Sequence, residues 1–176
     1  DDHENIGVRR DIKVVEKSST GVDWYRKPEK SVRFDSGSLV SVTPGKDTLF
    51  QGIRKAGMGG IVELAPGDYE VGKTIALEHA VTVRSQGLAT ITFERSALFE
   101  IKDGGSLKLS GVTISGVSAP DYAGNSVIRT SRNSMLDNYE VVIENSHFSD
   151  LDVNRFFDVL AGFKGTMADR ITITDS

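Results

Sequence analysis

The chain has 176 residues, of which 38% are hydrophobic, and its 21 basic and 25 acidic side chains give a net charge of -4. No apolar run approaches the roughly 20 residues that a membrane-spanning helix needs, so we expect no membrane segment. The absence of cysteine excludes a disulfide framework and a thiolate zinc site. The acidic balance gives no reason to expect nucleic acid as a partner.

The first 36 residues are mixed and charged, which predicts a connector with one strand at 12–15. Residues 37–176 predict a single β-rich domain. A turn at 43–45 precedes a short amphipathic helix that we expect to stop at Gly57. Its apolar face consists of Leu49, Phe50, Ile53 and Ala56. Such a helix, placed before the first strand, would cap the domain and hide a strand edge.

The remainder of the sequence repeats a short pattern of alternating apolar residues, a turn residue and a second apolar group. Clear copies begin at Leu107, Val141 and Ile171, so their starts lie 34 and 30 residues apart, and a weaker copy begins at Val81. Each clear copy places after its first strand a residue type that tolerates positive φ. These residues are Gly111, Asn145 and Asp175. Further strands are expected at 74–77, 81–84, 90–93, 98–101, 126–129 and 156–160.

This repeat predicts an all-β fold, a right-handed parallel β-helix with three short strands per turn. The period is too long for a leucine-rich repeat, and the strands are too short and β-branched for paired helices. Extra length would leave as loops at 118–125 and 131–138. Because the last copy stops at its turn, we expect a piece of a longer solenoid, completed by the rest of its own polypeptide or by a second chain. We expect the following side chains to point inward: Leu109, Ile114, Ile143 and Phe148.

Four segments carry a resemblance to a known family. Residues 48–71 read TLFQGIRKAGMGGIVELAPGDYEV and resemble the entry into pectate-lyase-like β-helices. Residues 104–116, 141–151 and 163–176 read GGSLKLSGVTISG, VVIENSHFSDL and FKGTMADRITITDS. They resemble polysaccharide lyase family 6, the chondroitinase B and alginate lyase family, and most of all the C-terminal β-helix of its two-domain alginate lyases.

The resemblance implies a secreted or periplasmic enzyme that cleaves an acidic polysaccharide, alginate or a similar uronate polymer, by β-elimination. Members of the family use a Lys base, an Arg acid and, in many cases, Ca²⁺ in the catalytic domain. The metal or a cation stabilises the dianion that develops when the proton next to the carboxylate is removed. Lys164 precedes a strand without the acidic and Asn ligands of the family motif around it. This departure favours a non-catalytic second domain, inactive by itself, and we expect no Ca²⁺ in this segment.

Four cations are candidates for contact with the polysaccharide because they recur at intervals close to one turn of the solenoid. They are Arg129, Arg132, Arg155 and Lys164. Aligned on one outer face, they would hold carboxylates, with the arginines binding in bidentate fashion. The competing interpretation is that outward positions of a solenoid are polar because they face water.

Other candidate residues have simpler structural explanations. His147 would serve as a base or a ligand, but a lone histidine after a turn is more often exposed or structural. Asn145, Asn154 and Glu144 supply metal-binding oxygens, although Asn145 is already explained as a turn residue. Six phenylalanines predict a stacked core rather than a platform for sugars, namely Phe93, Phe99, Phe148, Phe156, Phe157 and Phe163.

The sequence leaves two classes of function open. The chain is either a segment of a polysaccharide lyase, supporting the catalytic domain, binding glycan or forming a homodimer, or a stand-alone β-helix that binds carbohydrate. An adhesin or tail-spike β-helix shares this architecture with different chemistry.

Overall fold

A computed structural model describes residues 33–121, 124–133, 135, 137–151 and 168–176, and the backbone of 157–161. No helix in this part of the chain has the length and apolarity needed to cross a membrane. The elements in chain order are β1 (Leu39–Val42), β2 (Gly45–Lys46), α1 (Thr48–Ala56), β3 (Gly60–Leu64), β4 (Gly67–Val71), β5 (Ile75–Leu77), β6 (Ala80–Ser85), β7 (Ala89–Phe93), β8 (Ala97–Ile101), β9 (Ser106–Ser110), β10 (Thr113–Ser115), β11 (Asn125–Thr130), β12 (Glu140–Glu144), β13 (His147–Ser149), β14 (Phe157–Ala161) and β15 (Arg170–Thr174).

The described strands form three sheets in which every pair is parallel. Sheet A has the order β1-β3-β6-β9-β12-β15, sheet B the order β13-β10-β7-β4-β2, and sheet C the order β14-β11-β8-β5. From β3 to β14, successive strands along the chain visit sheets A, B and C in turn. This arrangement confirms the predicted parallel β-helix.

The repeats found in the sequence stack in register along sheet A. Val81 pairs with Leu107, Leu107 with Val141, and Val141 with Ile171. Two residues further along each strand, a second column contains Val83, Leu109, Ile143 and Ile173. The inner members of both columns are buried. The final pair, Ile171 and Ile173, remains 49% and 59% exposed because β15 pairs with β12 alone among the described strands.

The three predicted turn residues adopt positive φ. Gly111, Asn145 and Asp175 have φ of 69°, 47° and 51°. A Cβ on Gly111 would lie 2.4 Å from the carbonyl oxygen of Ser85, so this turn excludes any larger residue without a backbone shift. Backbone conformation and close packing together therefore require glycine at this turn.

Helix α1 packs at the N-terminal end of the described solenoid and ends at Gly57, as predicted. It does not lie before the first strand, because β1 and β2 precede it and pair with β3 and β4. It buries Leu49, Gly52, Ile53 and Ala56 and contacts β1, β3 and β4. Phe50 differs from the prediction because it is only half-buried and packs at the edge of the core. It lies one residue beyond Leu49, where the helix surface turns toward solvent.

Most of the predicted interior is confirmed. Leu109, Ile114 and Ile143 are buried, whereas Phe148 is half-buried and packs against the core. Phe93 and Phe99 are fully buried and stack in register on aliphatic neighbours, Val71 for Phe93 and Ile75 and Ile128 for Phe99. The side chain of Phe157 lies outside the described part of the structure. The same is true of Phe156, Phe163, the strand predicted at 12–15 and nearly all of the proposed connector.

The stacked columns predict the effect of truncating one of their members. Leu109→Ala should lower the free energy of unfolding by about 2 to 5 kcal/mol, because it leaves a cavity between two neighbouring turns. Its outward-facing neighbour provides the control: Lys108→Ala removes exposed contacts to Asp35 and Glu144, each at 3.5 Å, and should cost about 1 kcal/mol or less. Denaturant unfolding followed by circular dichroism measures both values. Equal losses for the two variants would contradict the assigned facing of β9.

Candidate functional site

The outer face of sheet C brings one predicted site residue into a charged cluster. On β11, Ile128 and Thr130 are buried on either side of Arg129, so the arginine alternates toward the outside. Its register partner on β8 is Glu100. The guanidinium donates from Nε and Nη2 to Glu100 Oε2, at 2.8 and 2.7 Å.

A second cation joins the same carboxylate. Lys102 Nζ donates to Glu100 Oε1, while Arg129 Nη1 lies 3.5 Å from Ser96 Oγ. Glu100, Lys102 and Arg129 are called the sheet C cluster below. Its side chains are 16%, 36% and 22% exposed, so the cluster is reachable from solvent and carries one net positive charge.

The surroundings of the cluster are partly apolar. Leu98 and Val127 occupy outward positions that alternate with Phe99 and Ile128, yet both are fully buried. Burial of the Glu100 carboxylate opposes its ionisation, but hydrogen bonds from Lys102 and Arg129 outweigh that effect and lower the pKa of Glu100 below its usual value. The cluster is therefore a charged site with a carboxylate already bound to its cations.

The other predicted site residues do not join this cluster within the described structure. Arg132 lies beyond the end of β11 and is exposed. Arg155 and Lys164 lie outside the described residues. The register partner of Arg129 on β14 is Ala161, so 32 residues separate neighbouring positions here. This is the interval between Arg132 and Lys164, and it differs from the 26 residues between Arg129 and Arg155.

The remaining candidates that the structure describes lie on other surfaces, and Asn154 lies outside the described residues. His147 is exposed on the outer face of sheet B, where its register partner is Thr113. Glu144 lies on sheet A, 3.5 Å from Lys108 Nζ. Across the described ranges, no three His, Cys, Asp or Glu side chains converge as a metal site would require. The described acidic side chains therefore do not form the converging set of oxygens that a Ca²⁺ site needs.

The described surface also contains a cavity of about 660 Å³ at the corner between sheets C and A. Its lining includes the acidic residues Glu78, Asp103 and Asp137, together with Arg33 and His79. Three carboxylates against one arginine would repel a polyanion. The sheet C cluster, with its net positive charge, is therefore the better candidate for an acidic ligand.

Sequence reasoning missed two members of the sheet C cluster, Glu100 and Lys102. Glu100 lies 29 residues before Arg129, and this offset depends on the length of the loop between β10 and β11. The available signal was local: the predicted strand at 98–101 contains a single charge, Glu100, between two apolar residues. An outward charge on a buried strand indicates that a partner charge lies on the neighbouring strand.

Comparison with known proteins gives a solved relative. The chain is 41% identical to the PL6 family alginate lyase AlyGC, with a TM-score of 0.80 over 91% of this chain and 22% of that one. A mutant of the same enzyme matches at 41% identity and a TM-score of 0.77, with the same coverage. The chain thus spans about a fifth of the relative's length. No protein-family model and no curated protein match it.

The pKa of Glu100 predicts how stability depends on pH. Because this pKa is lowered on folding, the folded chain binds fewer protons than the unfolded chain below the ordinary Glu range. The stabilisation is complete above the unfolded-state pKa and is lost as the pH falls through the lowered one. Glu100→Gln should flatten the acid side of a plot of unfolding free energy against pH, by at most about 1.4 kcal/mol per pH unit.

Arg129→Gln should flatten the same plot partially, since Lys102 still holds the carboxylate. Urea unfolding at several acidic pH values measures both effects. An acid slope that Glu100→Gln leaves unchanged would show that the pair with Arg129 does not stabilise the folded chain.

Proposed function

Starting from the fact that this chain belongs to polysaccharide lyase family 6, we propose that it is a β-helical segment of an enzyme that depolymerises alginate by β-elimination. Support comes from the 41% identity over 91% of the chain, together with the shared parallel β-helix. Alginate is a uronate polymer too large to enter a cell intact, so a secreted or periplasmic location belongs to the same proposal.

Within that enzyme, the proposed role of this segment is to support the catalytic β-helix and to hold the acidic polymer, without performing the elimination. The observation that carries this role is the double hydrogen bond of Arg129 to Glu100. β-Elimination needs a base within reach of the proton beside the uronate carboxylate and an acid for the leaving group. Glu100 stabilises the charged form of Arg129, which opposes proton donation, and Nη1, whose contact to Ser96 Oγ is 3.5 Å long, keeps N–H groups for a further carboxylate.

The sheet C cluster can bind a second carboxylate beside Glu100. Two cations surround one carboxylate, so an arriving uronate can share Lys102 and Arg129 with Glu100 without leaving a charge unpaired. The guanidinium suits the binding of a second carboxylate because its several N–H groups bind two acceptors in one plane. Binding at such a site should be moderate and sensitive to salt, which matches a surface that holds a polymer while another site cleaves it.

The test combines an assay for product with an assay for binding. Incubated with alginate, the purified chain should release no unsaturated uronate, measured as ultraviolet absorbance, while its migration through an alginate-containing native gel is retarded. Arg129→Gln should weaken retention about fivefold, equivalent to about 1 kcal/mol. Arg84→Gln is the matched control, because Arg84 forms a similar cross-strand pair with Glu63, at 2.8 Å, on sheet A.

Each outcome bears on a different part of the proposal. Product released by this chain would overturn the non-catalytic role. Absence of retention in the alginate gel would overturn the glycan-holding role. An equal loss of retention for Arg84→Gln and Arg129→Gln would exclude sheet C as the binding face. A stable homotrimer without affinity for uronates would instead support the adhesin or tail-spike alternative.

A further inference from the structure

Two cationic side chains lie close to one aromatic ring of the capping helix. Arg54 Cζ lies 5.8 Å from the centroid of the Phe50 ring, and Lys73 Nζ lies 5.6 Å from the same centroid. Arg54 follows Phe50 by one helical turn, and Lys73 comes from the turn between β4 and β5. Phe50, Arg54 and Lys73 are called the cap cluster below.

Unlike several other cations of the described surface, the cations of the cap cluster have no carboxylate partner among the described residues. Lys46, Arg84 and Lys108 each form an ion pair, with Glu94, Glu63 and the pair Asp35 and Glu144 respectively. Within the described residues, no carboxylate oxygen lies within 4.0 Å of Arg54 or Lys73, although both side chains are exposed. The cluster therefore offers two positive charges that form no direct ion pair with a described carboxylate.

The Phe50 ring restricts the positions of the Arg54 and Lys73 side chains. Long basic side chains lose conformational freedom when they bind a ligand, and that loss weakens exposed ion pairs. Attraction to the electron-rich face of Phe50 holds both cations near one point before any ligand arrives. Half-burial of Phe50 against the core fixes the ring itself. The cluster is thus partly pre-organised for two anionic groups.

The position of the cap cluster connects it to the sheet C side of the solenoid. Arg54 lines a cavity of about 210 Å³ together with Ala76, Leu77 and Glu78. Ala76 and Leu77 belong to β5, the strand at the edge of sheet C, and Ala76 is the register partner of Glu100. A polymer that crosses the outer face of sheet C along the solenoid axis would reach this end of the fold.

We propose that the cap cluster is a second binding site for an acidic polysaccharide, with Arg54 and Lys73 binding uronate carboxylates and Phe50 positioning both cations. The identity of the polymer rests on the proposed function, whereas the site itself rests on the geometry of the cluster. Charge alone would attract any polyanion, so dependence on the ring is what distinguishes a built site from a basic patch.

The experiment measures the affinity of the full chain for alginate oligosaccharides by isothermal titration calorimetry. Arg54→Gln and Lys73→Gln should each weaken binding about fivefold, as expected for loss of one charge-assisted contact. Phe50→Leu keeps every charge and an apolar side chain at the helix edge, and should weaken binding by a similar factor. Lys55→Gln is the matched control, since it removes an exposed cation from the same helical turn as Arg54 but not from the ring, and should change affinity little. Thermal unfolding of each variant checks that the fold is retained.

The outcomes separate this site from the proposed function. Affinity unaffected by Phe50→Leu but reduced by Arg129→Gln would overturn the cap cluster and leave the proposed function standing. Binding to polygalacturonate but not alginate, still lost with Phe50→Leu, would support a uronate site and contradict alginate as the substrate. Equal binding of carboxyl-reduced alginate, or binding of duplex DNA that Phe50→Leu does not change, would overturn the cap cluster as a carboxylate site.

Discussion

The structure depends on the requirement that each strand edge be paired by the next turn of the chain. A short parallel strand cannot satisfy its own backbone groups, so each turn of the solenoid is stable only in register with its neighbours. The number of residues between successive members of one sheet A column varies: it is 21 from Gly60 to Val81, 26 from Val81 to Leu107 and 34 from Leu107 to Val141. The column persists in spite of this variation. Extra residues form loops between the strands because the buried faces fix the register.

The same register also determines which outward side chains are neighbours on the surface. Neighbouring parallel strands lie about 4.8 Å apart, so outward side chains from residues distant in sequence become direct neighbours. Arg129 meets Glu100 across 29 residues, and Arg84 meets Glu63 across 21. Arg84, Lys108 and Arg129 are neutralised in this way by a carboxylate on the adjacent turn. Among the described residues, no carboxylate oxygen lies within 4.0 Å of Arg54 or Lys73, so both keep their charge available.

Features with a local cause could be predicted from the sequence. The turn residues Gly111, Asn145 and Asp175, the alternation around Leu109, and the helix that stops at Gly57 each follow from a few consecutive residues. Contacts that depend on loop length could not be predicted. The partner of Arg129 needed the register of β8 and β11, and the 32-residue offset between β11 and β14 depends on the loops between them. Similarly, Leu98 and Val127 occupy outward positions of their strands and are nevertheless fully buried, which alternation alone does not predict.

The register can be tested directly because the chain contains no cysteine. Thr90 and Thr113 are register partners on the outer face of sheet B. Thr90→Cys with Thr113→Cys should form a disulfide readily under mild oxidation, since neighbouring parallel strands place the two Cα atoms within the roughly 4.4 to 6.8 Å that a disulfide spans. The shifted pair Thr90→Cys with Ser115→Cys should remain reduced, as measured by mass spectrometry after thiol labelling. Cross-linking of the shifted pair in preference to the register pair would contradict the stacked parallel β-helix, and with it both proposed binding surfaces.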